Sequence, residues 1–504
     1  MFQSFKTTSD PSQARPRLAK LRTLMADEGL DALLVPRADQ HQGEYVAPCS
    51  ERLAWITGFT GSAGAAVILK DRAVLFVDGR YTVQAVEQTD PALFEVDSLV
   101  DNPPREWMKT NLFKGAKVGF DPWLHTVGEV RALQKALAKA GASAIPLKRN
   151  LIDAVWEDRP DEPVGPVIIH PLKYAGVAAE EKLQLLAGKL KAEGVDHTVL
   201  TDPASLAWTF NIRGSDVPHT PLALGFVILS ATGKPKLFLD ERKLDQEAKT
   251  YLSGLAELHA PSALTQQLAV LAKAGTKVGL DENLAADLLR EVVEENGGTV
   301  VHFADPAALP RAMKNETELA GTRAAHVRDG AALAEFLAWL DAQEAETLTE
   351  IKVVEKLEAI RVKVGEAMQM PLKDISFGTI CGAGPNAALP HYRVTEQSNR
   401  KSQAGELLLV DSGGQFFDGT TDVTRTVAIG QPTEEMRKRF TLVLKGISRS
   451  RCCASRKARA ARTSMPSHAK HCGGTGSTTT MAPAMASAPT SPCMKVRSAS
   501  PRPA

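Results

Sequence analysis

Cysteine is scarce in most of this chain. Of six in 504 residues, only Cys49 and Cys381 precede residue 447. A chain so thin in thiols is not a disulfide scaffold, and its cysteine usage suits a reducing, cytoplasmic address. Long apolar runs are missing too. No stretch reaches the roughly 18 apolar residues of a membrane-crossing helix, and the opening MFQSFKTTSDPSQARPRL has no apolar core of a secretory signal. A membrane partner is therefore not expected.

Acidic residues are absent from one region only. Residues 447–504 hold ten Lys or Arg and no Asp or Glu, so the remaining 446 residues carry 50 basic against 59 acidic side chains, a net charge of −9. The same 58 residues contain no Leu, Phe, Tyr or Trp. Such a segment buries too little apolar surface to offset the entropy of ordering, and we expect it to be disordered. Its basic residues are scattered among Ala, Ser and Thr rather than gathered on one helical face, so no nucleic-acid partner is expected. His468, His471 and Cys472 lack the fourth ligand that would make them a metal site.

What is present is a long globular body of 43% hydrophobic residues, enough for about three domains. Two Pro-rich, charged stretches, EDRPDEPVGP at 157–166 and ADPAALPRAMKN at 304–315, break the apolar periodicity and divide it. The expected units are 1–156, 167–305 and 312–446, followed by the tail at 447–504. In the first two, short β-rich runs alternate with amphipathic helices, the pattern of α/β domains. They also repeat one another. EGLDALLV at 28–35 returns as EGVDHTVL at 193–200, LFVDGR at 75–80 as LFLDER at 237–242, and KVGFD at 117–121 as KVGLD at 277–281. Matches in order at nearly constant offset argue for two copies of one fold. The third unit opens on helical patterns, with Thr347 and Glu350 spaced for a capping box. It then turns to strands: LLLV at 407–410 and VTRTVAI at 423–429 read as two strands joined by a long hairpin.

In that hairpin Asp411 closes the first strand and Asp422 opens the second. Antiparallel pairing would bring their carboxylates within a few ångströms, where two anions repel unless a hard cation sits between them. The competing reading is that Asp is common in turns, capping backbone N–H groups. Upstream, GTICGAGPNAALPHYRV at 378–394 supplies glycines, a Pro-Asn turn and then His391.

GPNAALPHYRV followed by LLLVDSGGQFFDGTTDVTRT resembles the catalytic domain of Xaa-Pro aminopeptidases, which have the pita-bread metallopeptidase fold shared with prolidase, methionine aminopeptidase and creatinase. Further up the chain, ERLAWITGFTGSAGAAVIL, VDGRYTVQA, AVWEDRPDEP and LAWTFNIRGSDVPHTP resemble the long, three-domain form of that family. The fold this implies is α/β and α+β, two creatinase-like domains before the pita-bread domain. The resemblance also implies two divalent metal ions, usually manganese, and peptide substrates with proline in second place. Asp411 would bind one ion, Asp422 would bridge both, and His391 would act as a catalytic residue near the scissile carbonyl. The intact family form would be a homodimer. A prolidase or creatinase-like hydrolase, or a non-catalytic peptide-binding relative, are the alternatives.

The later motifs of the family, a His-Gly-rich run and two acidic ones, are not readable in residues 447–504. Shifted by one base with suitably chosen GC-rich codons, however, TTTMAPAMASAPT at 478–490 can be read as DYDHGTGHGVGAY, the family's His motif, and ISRSRCCASRKARAARTSMPSHAKHC at 447–472 as text with helical periodicity and acidic residues. We therefore expect a one-base deletion near the Gly446 codon, premature termination at Ala504, and a chain that keeps only part of its metal site and is inactive. We also expect that losing the later strands leaves Asp411's strand with an unpaired edge.

Overall fold

The computed structural model describes residues 2–453. Two six-stranded sheets dominate the first 300 residues. The first contains β1 (Ala32–Pro36), β2 (Gly64–Leu69), β3 (Ala73–Val77), β4 (Phe94–Ser98), β5 (Lys117–Phe120) and β6 (Ser143–Pro146) in the order 4-3-2-1-5-6. In the second, β7 (His197–Leu200), β8 (Phe226–Ser230), β9 (Lys236–Phe238), β10 (Glu257–His259), β11 (Lys277–Leu280) and β12 (Thr299–His302) are arranged 10-9-8-7-11-12, the same order one copy later. Pairing directions agree as well. The first strand of each sheet is antiparallel to the second and parallel to the fifth.

The repeated sequence segments fall on matching strands. ALLV and HTVL form the first strands, LFV and LF lie in the third, and KVGF and KVGL are the fifth. Beyond each third strand the chain makes the same clasp, with Arg80 on Asp78 at 2.7 Å in one copy and Arg242 on Asp240 at 2.7 Å in the other. Every residue of β3 is buried. Apolar clusters cover both faces of each sheet, which is why these strands read as continuous rather than alternating apolar runs.

Helix α1 (Val127–Ala140) shows how local chemistry sets the element limits. Thr126 and Glu129 form a reciprocal capping box, and Gly141 ends the helix at φ +71°. In the third unit α2 (Glu316–Asp341) packs on α3 (Glu350–Ala367), burying Phe336, Leu340, Val353 and Leu357. Full burial of one such side chain stabilises by roughly 1.5–3 kcal/mol. The capping box lies on α2, between Asn315 and Glu318. The expected pair at Thr347 and Glu350 does not form. Thr347 lies in a short 3-10 turn, Thr349 caps α3, and Glu350 is turned inward for another purpose.

The hairpin forms as a layered structure. β13 (Asp374–Ile375), β16 (Gly414–Phe416) and β17 (Gly419–Thr420) make one small sheet. β14 (Ile380–Ala383), β15 (Leu407–Ser412) and β18 (Val423–Ala428) make another. Asp411's strand is not an edge. β15 is central, paired to β14 on one side and β18 on the other, so the open edges fall to its neighbours among the described residues. The expectation failed because it overlooked β14.

Helix α4 (Glu434–Cys453) carries the chain seven residues past Gly446, where disorder was expected to begin. The rest of that expectation, from residue 454 onward, lies outside the described residues, as do His468, His471 and Cys472. Among the described residues no helix is long and apolar enough to cross a membrane.

Candidate active site

Three parts of the chain line an open cavity of about 1820 Å³. The first unit contributes Tyr45 and Tyr81, the second Arg213 and His219, and the third His391, Arg393, Asp411 and Asp422. Direct contacts fasten the units around it. Arg393 donates to the Tyr45 hydroxyl at 2.9 Å, and His219 Nδ1 meets Asp374 Oδ1 at 3.2 Å. The N-terminal arm belongs to the third unit in space. Thr379 N–H donates to Gln3 Oε1 at 2.8 Å, and Phe5 is buried in the apolar cluster beneath α2 and α3.

Asp411 owes its position to the sheet register. It lies opposite Thr424, and Thr424 Oγ1 donates to Asp411 Oδ1 at 2.7 Å. Asp422 immediately precedes β18, near enough for its charge to act on the Asp411 carboxyl. Burial pushes the Asp411 carboxyl up to about 6; the Thr424 hydrogen bond opposes this and the Asp422 charge adds to it. Asp422 sits on the open side, and loss of water within the concave wall raises it too, with His326 pulling the other way. Two carboxylates that both resist ionising in one cavity form a pair a cation would relieve.

The backbone behind this pair is clamped. Arg361, 1% exposed, holds Asp329 and also donates to Ser412 Oγ at 3.1 Å. Gly414 N–H donates to Thr421 Oγ1 at 2.9 Å, and Ser376 Oγ donates to the Thr421 carbonyl at 2.8 Å. These bonds set the two residues flanking the carboxylates.

His391 is delivered by a loop pinned from below. The buried Glu350 carboxylate accepts from Ala383 N–H at 2.8 Å, Asn386 Nδ2 at 2.9 Å and the Tyr392 hydroxyl at 3.0 Å. His391 itself adopts φ +59°, an uncommon left-handed conformation that a side chain tolerates only when its surroundings hold it. Its Nδ1 lies 3.0 Å from the Tyr81 hydroxyl. Burial pushes the imidazole down to about 4, helped by Arg80 and Arg393 and opposed by Asp78, so the ring is neutral at physiological pH. The glycines upstream serve the loop rather than a ligand. At Gly382 a side chain would collide with the backbone of Asn386.

The three sequence-nominated residues thus line one cavity. Tyr45, Tyr81 and His219 were not singled out. Tyr81 and His219 lie inside VDGRYTVQA and LAWTFNIRGSDVPHTP, but their spacing along the chain carries no sign that they meet His391's neighbourhood.

Comparison with known proteins places this geometry. The Creatinase/Prolidase N-terminal domain family matches residues 17–155 and again 158–318, and Metallopeptidase family M24 matches residues 320–462. The probable Xaa-Pro aminopeptidase P of Coccidioides posadasii (strain C735) is 38% identical over 456 residues, spanning 88% of this chain and 69% of the relative. This chain belongs to the Xaa-Pro aminopeptidase P family. The Aspergillus clavatus member is 39% identical over 444 residues, covering 86% of this chain and 66% of its own. The X-prolyl aminopeptidase of Caenorhabditis elegans superposes with a TM-score of 0.80 at 32% identity, over 86% of this chain and 72% of that one. It is described as a cytosolic enzyme with a di-nuclear active site. The fold is accordingly that of the Xaa-Pro aminopeptidase P family: two creatinase-like domains and a pita-bread metallopeptidase domain.

Among the described residues no group of three or more His, Cys, Asp or Glu converges as a metal site. Asp411 and Asp422 suit one end of such a centre by charge and by oxygen chemistry. Two carboxylates do not fill the coordination of two ions, so the described residues do not fit the complete group.

Proposed function

We propose that the cavity is built to release the N-terminal residue from peptides with proline at the second position, as a metal-dependent member of the Xaa-Pro aminopeptidase P family. One observation carries this reading: His391, Asp411 and Asp422, from separate sequence motifs, line a single cavity to which all three units contribute. Asp411 and Asp422 are the metal-binding pair and His391 orients the peptide. In the intact family form a divalent pair, with manganese the first choice, would supply an activated water and stabilise the developing oxyanion. The chain's own residues provide a concave site walled by three units and a neutral imidazole. The three-unit organisation at 1–156, 167–305 and 312–446, a cytoplasmic location and a homodimer belong to the same proposal.

For this particular sequence we propose that hydrolysis is lost, because residues 447–504 carry no acidic residue and offer none of the carboxylates a second ion needs. Incubating the purified chain with an Xaa-Pro tripeptide and Mn²⁺ tests this beside a version with the reading frame restored after Gly446. Release by the restored protein and none by this one is the expected result. Release by both overturns the loss, and release by neither overturns the peptidase reading. A peptide-binding role without cleavage is favoured by the intact cavity beside an incomplete donor set, and would appear as tripeptide binding in calorimetry without added metal.

A further inference from the structure

A run of hydroxyls on the first unit ends at His391. Ser62 Oγ donates to Glu44 Oε1 at 3.3 Å, Ser62 Oγ and Tyr81 Oη are 2.7 Å apart, and Tyr81 Oη lies 3.0 Å from His391 Nδ1. Each hydroxyl has one proton, and an ionised carboxylate only accepts. Ser62 gives its proton to Glu44 and must therefore accept from Tyr81. With its own proton directed at Ser62, Tyr81 is left to accept from the imidazole.

We infer that Tyr81 is a positioning residue: its hydroxyl fixes His391 as the Nδ1–H tautomer and presents the Nε2 lone pair to the cavity. The ring is further held by its edge-on contact with Tyr81, centroids 5.9 Å apart, and Tyr81 is in turn braced edge-on by Phe59 at 5.5 Å. Tyr81 is buried, 2% exposed, so water does not compete freely for its hydroxyl. Among the described residues no hydrogen bond reaches Nε2, while His391 lines the cavity.

The polarity matters for the peptide. A lone pair at Nε2 accepts an N–H and repels a carbonyl oxygen, contrary to a role as donor to the scissile carbonyl. The nitrogen of an Xaa-Pro bond carries no hydrogen. The N–H donors such a peptide offers are its terminal ammonium and the amides beyond proline, so His391 orients the peptide through these. This deepens the peptidase reading and rests on His391 facing the substrate.

The tautomer is measurable without peptide or metal, by long-range ¹H–¹⁵N correlation on the full chain labelled selectively at histidine, with His391 assigned by its loss in His391→Asn. The expected spectrum has a protonated Nδ1 and a lone-pair Nε2. Ser62→Ala frees the Tyr81 proton for Nδ1 and should switch the dominant tautomer, whereas Tyr81→Phe should leave the two nitrogens averaged. A protonated Nε2 in the unmodified protein overturns the inference, as does a folded Ser62→Ala protein with an unchanged spectrum. The unmodified protein decides the matter even if a variant does not fold. Because the readout does not involve turnover, loss of peptidase activity leaves it standing, and its failure leaves the peptidase reading standing.

Discussion

The guanidinium of Arg361 meets the carboxylate of Asp329 at two points, 2.6 Å and 3.2 Å, in the interior of the third unit. The pair joins α3 to α2 and, through the Arg361 bond to Ser412, sets the residue next to Asp411. Removing one partner strands a buried charge. Arg361→Met should destabilise the protein by about 3–5 kcal/mol in urea unfolding, whereas replacing both residues with apolar ones of similar volume should cost much less. Equal losses in the single and double variants would contradict this account.

Glu350 should govern the order of the loop that carries His391. Glu350→Ala leaves the Ala383 amide without its acceptor, at roughly 1–3 kcal/mol, while the Tyr392 hydroxyl keeps the Ser398 carbonyl. Amide exchange across residues 383–392 should quicken while the strands of the first two sheets stay protected. Unchanged exchange there would show that the loop is held by other contacts.

Asp411 should cost stability in metal-free protein. Its folded carboxyl titrates near 6 and its unfolded one near 3.8, so the folded state binds the proton more tightly and stability falls as pH rises from about 4 to 6. Asp411→Asn keeps an oxygen for Thr424 and removes the charge. The variant should melt higher than the parent above pH 6, by up to roughly 3 kcal/mol at 1.36 kcal/mol per tenfold change in proton affinity, and equal it below pH 4. It should also bind Mn²⁺ more weakly. A variant less stable than the parent at pH 7 would rule out the burial penalty on the Asp411 charge.

His125 acts with the opposite sign. It is fully buried near the junction of the first two units and its imidazole is pushed down to about 4 by burial. The unfolded chain therefore takes up the proton first, and the stability of the neutral ring, complete above pH 6.5, is lost as pH falls toward 4. The ceiling is on the order of 3 kcal/mol. Melting temperatures of His125→Gln should show a shallower acid decline than the parent, and parallel curves would place the decline elsewhere.

The strand repeats, the helix patterns and the three cavity residues were legible because each rests on a local regularity. LFVDGR and LFLDER mark equivalent strands because a buried run followed by an Asp–Arg clasp is encoded within six residues. The misplaced cap at Thr347 shows the limit of that method, since Thr347 and Thr349 both have the right chemistry and only the path of the chain chooses between them. The unpaired edge predicted for β15 failed for a related reason. ICGA at 380–383 is too short, and too closely flanked by glycines, to announce itself as a strand until β15 lies beside it.

The sequence by itself determined the family and the duplicated α/β units and nominated Asp411, Asp422 and His391, because motif text and periodicity are properties of neighbouring residues. Tertiary structure alone decided that Phe5 belongs to the third unit's core, that Asp411 lies opposite Thr424, and that Tyr81 reaches His391 across 310 residues. Contacts of that range depend on how whole units pack, and no local pattern of side chains encodes them.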